Sequence, residues 1–193
     1  MPAAPIVVLA SGDGSLAEAL IQVAKAGAPY SVAALVTDRD GVNALNRAAR
    51  LLTPTVVVDF DAYANRADWE SALAQTVASF RPWLVVSAGF MRILSPKFLA
   101  QFDVINSHPS LLPLFPGSNS VADALAAGVS ETGCTVHKVD SGVDTGPVIV
   151  QRRVSILAGD DESSLHERIK EIERVLLPEV VVELAMAREE LKS

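Results

Sequence analysis

The sequence predicts an α/β chain with a doubly wound, mostly parallel sheet, helices on both faces and a C-terminal portion of mixed character. Three observations carry that reading. Short, continuous apolar runs rich in Val recur along the chain, as strands buried on both faces require. They alternate with segments whose Ala and Leu fall at helical spacing. The first run ends in a glycine-rich turn that opens a helix, the start of a strand–helix–strand unit.

Taken in order, Ile6 to Ala10 reads as a buried parallel strand and Ser15 to Ala26 as a helix with Leu16, Ala19, Leu20 and Val23 on one face. Ser31 to Val36 is a second strand, Asn43 to Leu52 a helix and Pro54 to Asp59 a third strand. Trp69 to Phe80 is a helix closed by Arg81-Pro82, because proline disfavours helix at the residue before it. Trp83 to Ser87 is the fourth strand. Pro96 then opens a short helix reaching Phe102, with proline at its first position. Val104 to Ser107 is a strand running into His108-Pro109, and Pro109 to Gly117 a proline-rich loop. Val121 to Ala127 is a helix stopped by Gly128, and Gly133 to Asp140 and Val148 to Val154 are strands. Ser164 to Glu167 has the form of a capping box before a long helix through Ile169, Ile172 and Leu176, which Pro178 should kink or interrupt. Arg188 to Ser193 reads as a frayed polar end.

The 193 residues suit one domain or two closely packed lobes, and a 50% hydrophobic composition supports a core without staples. A net charge of −7 argues against a sequence-independent grip on nucleic acid, yet leaves room for a small anion held by backbone N–H groups. The one cysteine, Cys134, excludes an internal disulfide and a cysteine-cluster zinc site, and reads as a small buried hydrophobe. No apolar run is long enough for a signal peptide or a span, so a soluble, cytoplasmic protein with no membrane partner is expected.

The turn Gly12-Asp13-Gly14-Ser15-Leu16-Ala17 matches the loose dinucleotide fingerprint, and Asp38 lies near the distance expected of its acidic residue. A nicotinamide-dependent oxidoreductase is therefore one candidate. A Walker loop is excluded, since no Gly-Lys-Ser/Thr follows. Exposed N–H groups from Gly14 to Leu16 at the positive end of a helix suit a phosphate of some kind. The plain alternative is a tight strand-to-helix turn with no ligand.

Other motifs discriminate further. Asn106-Ser107-His108-Pro109-Ser110-Leu111-Leu112-Pro113, Val143-Asp144-Thr145-Gly146-Pro147 and Gly89-Phe90-Met91-Arg92-Ile93-Leu94 resemble the signatures of the phosphoribosylglycinamide formyltransferase family. The resemblance extends from Ile6 to about Val182, and Phe115-Pro116-Gly117 favours this family over its relatives. It implies a Rossmann-like formyltransferase fold in one domain. A phosphate- and ribonucleotide-binding half would span about 1–100, and a catalytic and folate-binding half about 101–193. It implies transfer of formyl from 10-formyltetrahydrofolate, a co-substrate, to the amine of glycinamide ribonucleotide in purine synthesis, with no metal.

Catalysis would fall to Asn106, His108 and Asp144. Amine attack on a formyl carbon builds an oxyanion and requires proton movement near neutral pH. Asn106 would donate an amide N–H to that oxygen. His108, two residues on, would point the same way, and Asp144 would orient it, favour its cationic form and organise a water. By the same resemblance Gly12, Asp13, Gly14, Ser15 and Leu16 would hold the substrate phosphate, with Gly89, Pro109 and Glu173 beside its ribose or glycinamide. Glu173 also reads as an exposed helix residue paired with Lys170. Met91, Arg92, Ile93 and Leu94 with Val139, Asp140, Ser141, Gly142 and Val143 would line the folate pocket, Arg92 reaching the folate carboxylates. The competing reading of Met91, Ile93 and Leu94 is core. Leu112-Pro113 would be a cis bond. His137 reads as structural and His166 as part of a solvated helix face.

Three departures from the family stand out. Leu16 replaces the usual Asn, Asn119 replaces a common histidine near Asp144, and Gln101 to Ile105 is shorter than usual. Within the same chemistry, a tRNA-directed formyltransferase would need a further domain and a basic surface, and a formyltetrahydrofolate hydrolase usually carries an extra N-terminal domain. A sugar N-formyltransferase stays open on residues alone, whereas the Asn, His and Asp trio argues against a non-catalytic folate-binding module, which has no use for it. The expected partners are the two small molecules, with the chain a monomer or homodimer.

Overall fold

Strands and helices alternate strictly through the first half of the chain. The structure is a computed structural model describing residues 3–191. The order is β1 (Ala4–Leu9), α1 (Ser15–Lys25), β2 (Tyr30–Thr37), α2 (Asn43–Arg50), β3 (Thr55–Val57), a 3-10 turn (Phe60–Ala62), α3 (Arg66–Ser79), β4 (Leu84–Ser87) and α4 (Pro96–Leu99). There follow β5 (Val104–His108), α5 (Ser120–Ala126), β6 (Glu131–Lys138), β7 (Val148–Ser155) and α6 (Glu162–Glu190). All seven strands join one sheet in the order β3-β2-β1-β4-β5-β6-β7. The first five are mutually parallel, while β6 runs antiparallel to both β5 and β7, which is the mixed C-terminal portion.

Why β1 is continuously apolar is now plain. Ile6 and Val8 pack into one core with Leu20, Ile21, Ile169 and Leu177, from α1 and α6. Val7 and Leu9 point the other way, against Trp69, Leu73, Val77 and Phe98 of α3 and α4. A strand covered on both faces has no solvent side to make polar.

Some boundaries moved for identifiable reasons. The third strand shrinks to Thr55–Val57 because it is a sheet edge with one neighbour. α3 starts at Arg66 because Asn65 caps it, its side chain accepting from Asp68 N at 3.0 Å. The capping box of α6 is Asp161 with Ser164, not Ser164 with Glu167. Asp161 Oδ1 accepts from Ser164 N at 2.8 Å, and Ser164 Oγ accepts from Asp161 N at 3.0 Å. Pro178 does not interrupt α6. It is buried between Leu176, Leu177, Val180 and Val181, and this packing outweighs the roughly 3 kcal/mol cost of an interior proline. The helix also continues through Glu190, so Arg188 to Glu190 do not fray, and Lys192 and Ser193 lie outside the described residues.

The strand order reverses between β1 and β4, whose connections leave in opposite directions along the sheet. The crevice beyond the carboxyl ends of such strands is where open α/β sheets take ligands. Gly12 follows β1, Gly89 follows β4 and His108 ends β5, so the three sequence motifs meet there.

Candidate active site

A cavity of about 520 Å³ opens at this switch point. Its lining includes every site residue expected from the sequence except Ser141, which is exposed outside it.

The Gly12 to Leu16 turn forms one end. Gly14 is the N-cap of α1 with φ 78°, and no side chain caps the helix, so its first-turn N–H groups have no side-chain partner. A Cβ on Gly14 would fall 2.5 Å from Ala44 Cα, which fixes the residue as glycine twice over. Asp13 faces α2. Asn43 Nδ2 donates to it at 2.9 Å and Arg47 pairs with it at 3.0 Å, and these contacts hold its carboxyl below the usual range against the opposing effect of burial. Leu16 is buried and apolar.

Asp38 is not a ribose ligand. Its side chain is fully buried and paired with Arg39 at 2.9 Å and Arg92 at 2.8 Å, which removes the acidic residue that the dinucleotide reading needs. The same pairing braces the next wall. Arg92 does not extend as a free cation; its guanidinium lies 3.9 Å from the Phe60 ring centre while Nε donates to Asp38. Met91 N donates to Ser11 Oγ at 2.9 Å, Ser11 N donates to Gly89 O at 3.0 Å, and Arg66 donates to Ile93 O. On this braced loop Met91 and Ile93 are 66% and 57% exposed, so they are not core; Leu94 is. Val139 and the more exposed Val143 line the same cavity.

The deepest wall comes from β5 and β6. Asn106 and His108 are two apart on β5 and share a side. Register places Asn106 opposite His137. Asn106 Nδ2 lies 3.2 Å from His137 Nε2, and His137 Nδ1 donates to Lys138 O at 2.9 Å. His137 is therefore part of the site, correcting its structural reading. Asp144 sits between both imidazoles, with Oδ2 3.4 Å from His108 Nδ1 and Oδ1 3.5 Å from His137 Nε2. Gly117 N donates to Asp144 Oδ2 at 2.8 Å. The hydrogen bond from His137, with those from Gly117 and the charge of His108, holds Asp144 below the ordinary carboxylate range despite its burial. On its far side, His108 Nε2 donates to Phe115 O at 2.9 Å, so both its ring nitrogens face oxygens.

The loop carrying Asp144 is tightly folded. Asp140 Oδ1 accepts from Gly142 N at 3.0 Å and from Thr145 Oγ1 at 2.7 Å, and a Cβ on Gly146 would fall 1.8 Å from Lys138 O. Asp144 itself is left-handed at φ 54°, a conformation costing roughly 1 kcal/mol or more for a residue with a Cβ. The proline-rich loop beside it contains a cis Leu112-Pro113 bond.

With the cavity complete, its relatives can be compared. The family described as formyl transferase matches residues 4–181. The chain belongs to that family. It is 50% identical over 188 residues to phosphoribosylglycinamide formyltransferase of Mycobacterium tuberculosis, covering 95% of this chain and 87% of that one. It is 40% identical over 184 residues to the trifunctional purine biosynthetic protein adenosine-3 of Drosophila melanogaster, covering 93% of this chain and 14% of that protein. The crystal structure of glycinamide ribonucleotide transformylase 1 from Symbiobacterium toebii superposes with a TM-score of 0.93 at 38% identity, over 96% of this chain and 89% of that one.

The last wall of this formyl transferase comes from α6. Glu173 is 3% exposed rather than solvated, and it takes a hydrogen bond from Ser107 Oγ at 2.6 Å instead of pairing with Lys170. Burial raises its carboxyl to about 7. His166 is half-buried and lines the cavity with Lys170, so its solvated-face reading is also corrected. A signal for this wall was present: His166, Lys170 and Glu173 stand at i, i+4 and i+7, one face of a helix. Asn119, where the resemblance expects a histidine, does not line the cavity; the second imidazole near Asp144 is His137.

Proposed function

We propose that this formyl transferase moves the formyl group of 10-formyltetrahydrofolate onto the amine of glycinamide ribonucleotide in purine synthesis. The observation that carries the mechanism is the Asn106, His108, His137 and Asp144 cluster at the floor of the cavity.

In this reading the amine nitrogen attacks the formyl carbon, and the carbonyl π pair moves onto oxygen. Asn106 donates an amide N–H to that oxyanion, and the His108 ring, on the same side of β5 and held between Asp144 and Phe115, borders it. The amine nitrogen then gives up a proton through a water held at Asp144. The bond from carbon to the folate nitrogen breaks as that nitrogen takes a proton, leaving tetrahydrofolate and the formylated amide. His137 supports Asp144 and Asn106 from the adjacent strand. The exposed Met91, Ile93 and Val143 suit a flat ring, and the fixed backbone of residues 139–143 suits its polar edge. Phosphate goes to the N–H groups of Gly14 to Leu16, with Gly12 and Asp13 shaping the turn, and Glu173, Gly89 and Pro109 border the sugar and glycinamide. The chain acts as one domain, with phosphate binding centred on residues 1–100 and catalysis on 101–193, as a monomer or homodimer in the cytoplasm, and with no metal ion in the reaction.

The test is a purified-enzyme assay following loss of the folate formyl group with and without glycinamide ribonucleotide. Rapid loss only with the ribonucleotide is expected. Loss without it would make the chain a hydrolase, and no loss in either case would contradict the proposed acceptor.

A further inference from the structure

We propose that His166 is a second cationic contact, beside Lys170, for the phosphate of the ribonucleotide. This rests on the reading that Gly12 to Leu16 receive that phosphate.

His166 and Lys170 are one helical turn apart on α6, so their side chains stack on one face, and both line the cavity. Neither side chain makes a hydrogen bond or an ion pair among the described residues. The charge of Lys170 is felt by Asp13 in the glycine turn, which puts this face of α6 near the same end of the cavity. Asp13 does not take up Lys170, because Asn43 and Arg47 already hold it. Arg47 in turn is committed to Asp13 and Glu18.

Charge balance then decides. A phosphate monoester carries about −1.5 to −2 at pH 7. The N–H groups of the turn are neutral donors, the Leu16 side chain contributes none, and Lys170 supplies a single positive charge. A half-buried imidazole beside Lys170 is disfavoured as a cation when the cavity is empty. Burial lowers its pKa first and Lys170 second, against smaller opposing effects of Glu162 and Glu167 on the same helix. An anion between the two reverses that balance, since phosphate oxygens attract both. Of the other titratable linings, Asp13 is already neutralised by Arg47, Glu173 on the same helix is buried and held by Ser107, and His108 and His137 are turned to Asp144.

The probe is inorganic phosphate, measured as an inhibitor competing with the ribonucleotide in the wild type, in His166→Ala and in His166→Gln. The expected result is competition in the wild type and an inhibition constant about tenfold weaker in both variants, the loss of one charge-assisted contact. The folate KM should move far less. NMR titration of the His166 ring in the wild type gives a readout independent of any variant's folding: its pKa should rise in saturating phosphate. Equal competition in wild type and variants, or a ring titration indifferent to phosphate, would overturn the role of His166 while leaving the phosphate site intact. Absence of competition in the wild type would overturn the phosphate site itself, and this proposal with it.

Discussion

The two ends of the cavity are built on opposite plans. At the β5–β6 end, His108, His137, Asn106 and Asp144 contact one another, and Phe115, Gly117 and Lys138 contribute backbone partners. At the α1–α6 end, the first-turn N–H groups of α1 have no side-chain cap, and Lys170 and His166 have no hydrogen-bonding partner among the described residues. One end is satisfied by the protein's own side chains and the other is not. The difference separates two tasks. Groups that act on a transition state gain from being held rigidly beforehand, whereas groups that capture a substrate anion gain from being unpaired when it arrives.

That contrast is breakable. The largest effect should come from the satisfied end. His108→Ala removes the imidazole proposed to act beside Asn106 and should lower kcat by about a thousandfold, the usual scale for losing one such group. Turnover within tenfold of wild type would end the assignment. Next comes the glycine turn. Gly14→Ala forces a Cβ toward the Ala44 backbone at positive φ, and should cost about 4 kcal/mol of unfolding free energy, read by urea denaturation. A loss under 1 kcal/mol would show the turn to be pliable.

The smallest effect concerns Glu173, on the wall between the two ends. Its carboxyl is raised from 4.5 to about 7, so between those values the folded state holds a proton that the unfolded chain has lost. Stability from this group is therefore fully present below pH 4.5 and is lost as pH rises through about 7, with a ceiling of about 3 kcal/mol. Glu173→Gln keeps the neutral shape and should remove this slope, checked by denaturation midpoints from pH 5 to pH 8. Parallel pH profiles for variant and wild type would contradict the raised value.

The same contrast explains what the sequence made legible. β1 was readable because both faces are buried, which leaves an unbroken apolar run. Asn106 and His108 were readable because their relation is local, two residues along one strand. His137 was not, because its relation to Asn106 depends on antiparallel register between β5 and β6, and no residue of either strand announces that register. Glu173 and His166 look like ordinary polar helix residues until the sheet closes against α6. Their spacing with Lys170 was visible, but which side of the helix faced solvent was not. Asp38 misled for the opposite reason: it stands where a ribose ligand would, yet packing gave it two arginines instead.

The most direct test of the two-ended account is the affinity of His108→Ala for glycinamide ribonucleotide, measured by calorimetry on the same preparation whose turnover has collapsed. The account predicts a Kd within about threefold of wild type, because the groups proposed to hold the phosphate lie at the other end of the cavity. A Kd weakened in step with kcat would contradict it, making the two ends a single device for binding.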